Sequence, residues 1–182
     1  MNDLARPGDV LEFWFESLER RQWFRADAAL DRRIARTFGP TLTAASACEL
    51  WRWRDTPTGR VAEIVVLDQF SRNIHRATAQ AFAQDPLALA LAQTLVADGH
   101  DRCLDTDHRH FAYMPFMHSE SLTIHDQALR LYSQPGLEIP LGHERNHRAV
   151  LERFGRYPQR NVALGRSTTD AEHEYLAGKP GF

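Results

Sequence analysis

Apolar residues recur at intervals of three and four along almost the whole chain, and convincing strand alternation is absent. The spacing predicts helices throughout. Near the start, Asp9 and Glu12 are spaced like a capping box, and "VLEFWF" is dense enough in aromatics to be core. A second helix runs from about Ala28 into "LTAASACEL". The turn Asp55–Gly59 precedes a strongly apolar helix from about Arg60 to His75. Asp85-Pro86 is a start signal, an acid at the N-cap before a first-turn proline, and Gly99 closes that helix. A long helix, kinked at Pro115, covers about 107–132. "SQPGLEIP" is a loop, another helix spans about His143–Phe154, and Pro158 opens a short one. Thr169 and Glu172 repeat the capping-box spacing before the last helix.

Helical phase places several ionisable residues on apolar faces. Between Arg60 and His75, the face of Val61, Ile64 and Val65 continues through Asp68 and Arg72. Val66, Phe70 and Ile74 lie opposite, so this helix is expected to be covered on both sides. In the long helix His118 and His125 fall inside the arc of Met114, Met117, Ile124 and Ala128. His143 and His147 share the side of Val150, Leu151 and Phe154. Buried charges need partners. The tail "RFGRYPQRNVALGRSTTD" then supplies Arg153, Arg156, Arg160 and Arg166 with no acid before Asp170. Asn73, Asn161 and Glu120 add neutral and acidic groups to the same motifs.

Composition narrows the class. A chain of 182 residues, 43% hydrophobic and 25% charged, suits one globular domain spanning 1–182. A formal net charge of −2 argues against a large nucleic-acid footprint or an anionic membrane partner. Cys48 and Cys103 form no C-x-x-C and read as reduced thiols. The charged, Pro-Gly-broken opening is no secretory signal, and no apolar run approaches a membrane span, so a cytoplasmic location is expected. His143–His147 matches H-E-x-x-H, the helical core of a zinc peptidase site. The further zinc-ligand pattern after His147 is missing, and Arg145 would place a cation beside the metal. No metal and no cofactor are expected.

"LDQFSRNIHR", "YMPFMHSE" and "RFGRYPQRNVALGRST", in that order, resemble the bacterial family catalogued as domain of unknown function 924. "VLEFWF", "AFAQDPLALALA" and the closing Gly181-Phe182 also fit, so the resemblance covers nearly the whole chain. It implies an all-α fold, an α-α superhelix or irregular array of the tetratricopeptide-like kind, although no strict 34-residue repeat is visible. It implies no established activity. It does not require His143-Glu144, and it departs from this chain at Gln159 and His125, where histidine and glutamine are expected.

Three functional readings follow. The first is a binding module holding a small anionic molecule or a peptide in a polar pocket of Asp68, Arg72, Asn73, His118, Glu120, His147, Arg156, Arg160, Asn161 and Arg166. The second is an enzyme of hydrolase type, with Glu120 or Asp68 as base and His118 or His147 as acid–base partner. The third is a protein-interaction scaffold whose motifs serve packing alone. Open motif residues favour the first two; sealed, mutually satisfied ones favour the third.

Overall fold

The computed structural model describes residues 4–178, and every regular element among them is helical. The closing Gly181-Phe182 lies outside the described residues. The first helices are α1 (Pro7–Leu11), α2 (Arg20–Trp23), α3 (Ala28–Ser46), α4 (Pro57–Val65) and α5 (Ser71–Ile74). They are followed by α6 (Asp85–Ala97), α7 (Thr106–His118), α8 (Leu122–Tyr132), α9 (Glu138–Phe154) and α10 (Asp170–Gly178). Wider π turns follow α1 over Glu12–Glu16 and join α4 to α5 over Val66–Phe70.

The continuous stretch α4–π–α5 is the centre of the molecule. It packs against α1, α3, α6 and α7. Every residue from Val61 to Ser71 is buried, as expected for a helix covered on both sides. Around it, Trp14 meets Phe70 and Phe111 edge to face, with ring centroids 5.6 Å apart in each case. Phe38 lies 4.7 Å from Phe70, and Asn73 reaches Asp31, so α3 runs antiparallel to this stretch. Tyr132 donates to the His110 carbonyl, and Arg148 to the Leu122 carbonyl. These pairings make α7, α8 and α9 successive antiparallel neighbours.

Four expectations about helix ends need correction. Asp9 is not a cap; it sits at the third helical position and accepts the Arg6 N–H at 2.8 Å. Asp85 is not the cap of α6 either; Gln84 is, and Asp85 occupies the first helical position before Pro86. The long helix is not kinked at Pro115 but broken four residues later, at extended Ser119. Pro115 removes one N–H from the last turn of α7 and loosens it. The expected loop before His143 is already helix. Pro140 falls in the first turn of α9, where its missing N–H would have had no partner. The Thr169–Glu172 capping box is present: Thr169 N–H donates to Glu172 at 2.8 Å and Glu172 N–H to Thr169 Oγ1 at 3.3 Å.

Trp14 is fully buried, and Trp23 and Trp53 pack against the core. Trp51 is 56% exposed. Both cysteines are free and exposed. Among the described residues no helix is long and apolar enough to cross a membrane.

Candidate functional site

The π turn changes the helical phase at the motif it carries. Asp68 lies inside the π turn and is buried, and Arg72, four residues later, reaches back over it. Arg72 Nη1 donates to the Asp68 carbonyl at 2.7 Å and lies 2.9 Å from its carboxylate. Gln69 donates to the other carboxylate oxygen at 2.6 Å. His118, the last residue of α7, brings Nδ1 to within 2.8 Å of the first.

The network then closes on itself. Arg72 Nη2 donates to Asp85 at 3.0 Å, and Arg160 Nη1 donates to the same oxygen at 3.1 Å. Arg160 Nη2 donates to the His118 carbonyl at 2.8 Å. The order is Asp68, Arg72, Asp85, Arg160, His118 and back to Asp68. Two carboxylates face two guanidiniums, so with a neutral imidazole the ring carries no net charge. Phe82 lies under both arginines, with guanidinium carbons 5.6 and 4.6 Å from its centroid. Side-chain exposure is 1% at Asp68, 19% at Arg72, 17% at Asp85, and 12% at both His118 and Arg160.

Burial raises the Asp68 carboxyl, but Arg72 and His118 outweigh it and hold the group below the usual carboxylate range. Burial is also the first cause at His118 and lowers it, with Arg72 acting the same way against Asp68. An ionised Asp68 only accepts, so the Nδ1 of a neutral His118 carries the hydrogen. Nε2 has no hydrogen-bond partner among the described residues.

Stability should therefore fall in acid. His110, 8% exposed, is pushed down by burial to about 4, and His118 is also lowered. Both stay neutral in the fold while the unfolded imidazoles, near pH 6.5, take protons. Their contribution is complete above that value and is lost as pH falls through it. Each costs up to about 1.4 kcal/mol per pH unit until its folded value is reached. Urea midpoints between pH 7 and 4 check this; a flat profile would contradict it.

The other motif residues form separate clusters. Glu120 receives both Arg166 nitrogens, at 2.9 and 2.8 Å, and the Tyr157 N–H at 2.7 Å. Burial raises its carboxyl, but Arg166 and that N–H win and lower it. Arg156 grips Glu172 through two bonds, at 2.7 and 2.8 Å, and fully buried Asn161 donates to the same acid at 3.3 Å. That cluster anchors α10. Asn73 turns away from the ring to Asp31, which also holds Arg76. His147 stacks edge-on to Tyr157, 5.6 Å between centroids.

The H-E-x-x-H segment departs from a zinc-site arrangement. His143 is exposed, whereas Glu144 is buried and bound to His125 at 2.6 Å. The inward orientation expected of His143 is therefore wrong; the start of α9 rotates Glu144 inward instead. Among the described residues, no group of three or more His, Cys, Asp or Glu side chains converges as a metal site would.

Two clefts lie away from the ring. One of about 720 Å³ is bordered by α1 and α3. The other, of about 440 Å³, lies between α3 and α5.

The model of a bacterial protein family of unknown function, DUF924, matches residues 10–180. The chain belongs to the DUF924 family. No curated protein matches. A solved structure of a protein of unknown function from Agrobacterium tumefaciens is similar, with 37% identity and a TM-score of 0.90. The match covers 95% of this chain and 97% of that one. In this DUF924 chain the three sequence motifs meet at one place: the first supplies Asp68 and Arg72, the second His118 and the third Arg160. Asp85 completes the ring and Phe82 lies beneath it, and neither belongs to the three motifs. Asp85 was hidden by its Asp-Pro helix-start signal, and Phe82 sits in a short 3-10 turn, Ala79–Phe82, with no periodicity to flag it. Gln159, where histidine was expected, is half-buried, and its Oε1 lacks a partner among the described residues.

Proposed function

We propose that this chain binds a small polar ligand at the His118 edge of the ring, with Nε2 as the atom that recognises it. One observation carries the reading. Asp68 accepts the Nδ1 hydrogen bond, and the second ring nitrogen of a 12% exposed imidazole is left with a lone pair and no partner among the described residues. His125 gives the contrast: it is fully buried, and both its nitrogens are engaged.

The arginines are already matched. Asp68 and Asp85 oppose Arg72 and Arg160, and Glu120 opposes Arg166. An anion would have to displace a carboxylate, so the ligand favoured is one that brings a hydroxyl or amide N–H to Nε2. A peptide or a small hydroxylated molecule fits. The hydrolase-type reading is supported by the same dyad, because a carboxylate-oriented neutral imidazole is the arrangement of a general base. The scaffold reading draws support from the low exposure of the ring.

A thermal-shift screen of polar metabolites and short peptides separates these readings. A ligand at one hundred times its Kd stabilises by about 2.7 kcal/mol. The expected result is a compound that raises the wild-type Tm but not that of His118→Gln. A compound that shifts both equally, or a screen without hits, would overturn the binding reading and leave the scaffold. Turnover of a hit, lost in His118→Gln, would establish the enzyme.

A further inference from the structure

A second acid–imidazole pair lies outside the ring. His125 on α8 and Glu144 on α9 are both 0% exposed. His125 Nδ1 is 2.6 Å from Glu144 Oε1. Its Nε2 is 2.9 Å from the Ser119 carbonyl and 3.1 Å from the Tyr157 hydroxyl. A carbonyl only accepts. The Tyr157 hydroxyl spends its hydrogen on the Met117 carbonyl at 2.6 Å, so towards His125 it accepts as well. Nε2 therefore carries a hydrogen. The close approach of Nδ1 to a carboxyl oxygen needs another between them.

The pair thus holds one proton more than a neutral imidazole and a free carboxylate would. It is net neutral, as imidazolium and carboxylate or as imidazole and carboxylic acid, and the proton belongs to the pair. Its neighbours do not replace that proton. On α9, Arg148 acts on Glu144 but is held outward by Asp126 and Glu152, and burial lowers His147. Tyr132 on α8 and Tyr157 after α9 both feel Glu144 and are pushed up by burial. His118 and Glu120 flank Ser119 in sequence.

We infer that the His125–Glu144 pair is a proton-dependent latch on the segment that carries the candidate site. Through Ser119 it fixes the break between α7 and α8, and so positions His118 on one side and Glu120 on the other. Loss of the shared proton leaves a bare carboxylate in a place with no exposure and weakens the hold on Ser119. The consequence for ligand binding rests on the His118 reading; the proton count does not.

The sign follows from the same count. Above pH 6.5 the unfolded imidazole is neutral and the unfolded carboxylate ionised, so folding takes up one proton. The raised Glu144 carboxyl, due first to burial, points the same way. The stabilisation is present at and below pH 6.5 and is lost as pH rises, down to the unfolded glutamate range.

Urea unfolding of wild type and Glu144→Gln from pH 6.5 to 8.5 tests this. A glutamine amide can donate to Nδ1 of a neutral His125, so the variant needs no extra proton. The wild-type folding constant should fall up to about tenfold per pH unit more steeply than the variant's. Where the wild-type slope flattens as the pair gives up its proton, the His118 ring resonances should shift, and in the variant they should not. Parallel stability profiles overturn the shared proton, and immobile His118 resonances overturn the positioning role. Should the variant fail to fold, ¹⁵N and ¹³C NMR of wild type decides. A bare Nδ1 beside an ionised Glu144 at pH 6.5 contradicts the latch. A ligand screen without hits leaves the pH difference untouched, so the two proposals fail separately.

Discussion

Asp68→Ala is expected to lose about 3–5 kcal/mol of stability, the cost of removing one member of a buried charged pair. The carboxylate is 1% exposed and serves Arg72, His118 and Gln69 at once. Without it, Arg72 keeps Asp85 but is left with a buried guanidinium only half opposed. His118 loses the acceptor that fixes its tautomer. Chemical denaturation gives the stability, and NMR of the imidazole gives the tautomer. Asp68→Asn should be milder, since the amide oxygen still accepts, but the extra positive charge remains. A loss below about 1 kcal/mol in Asp68→Ala would put the ring in the class of surface pairs.

Trp14→Ala is expected to cost a further large amount, about 3–5 kcal/mol, through the cavity it opens. Trp14 is fully buried and touches Phe70 in the π turn and Phe111 on α7. Those two elements carry Asp68 and His118. The variant should therefore loosen the elements that carry the ring as well as the fold. Equilibrium unfolding and hydrogen exchange of the α7 amides check both effects. A variant with wild-type exchange in α7 would show that the aromatic cluster and the ring are uncoupled.

The helical class was legible because apolar spacing reports periodicity directly, and Thr169 with Glu172 marked α10 correctly. Helix ends were less legible. Asp85-Pro86 has the chemistry of a cap whether the acid caps or, as here, turns to two arginines. Pro115 signals a disturbed helix, but the break at Ser119 is held largely from far along the chain: Tyr157 and Arg160 reach the Met117 and His118 carbonyls, and nearby His125 reaches that of Ser119. The π turn is invisible to a phase count that assumes one angle per residue, although that count still placed Asp68 and Arg72 on one face. Arg156 and Asn161 read like site residues because an arginine-rich tail lacks local acids; Glu172 supplies one from the next helix. His125 and Glu144, each on a different helix, gave no joint signal at all.

Asp68 orients His118 so that Nε2 is the open nitrogen. Long-range ¹H–¹⁵N NMR of the His118 ring at pH 7 tests it without any ligand. The expected result is a neutral imidazole with the hydrogen on Nδ1 and a bare Nε2, a pattern lost in Asp68→Ala. A ring protonated at Nε2, or charged at both nitrogens, would contradict it.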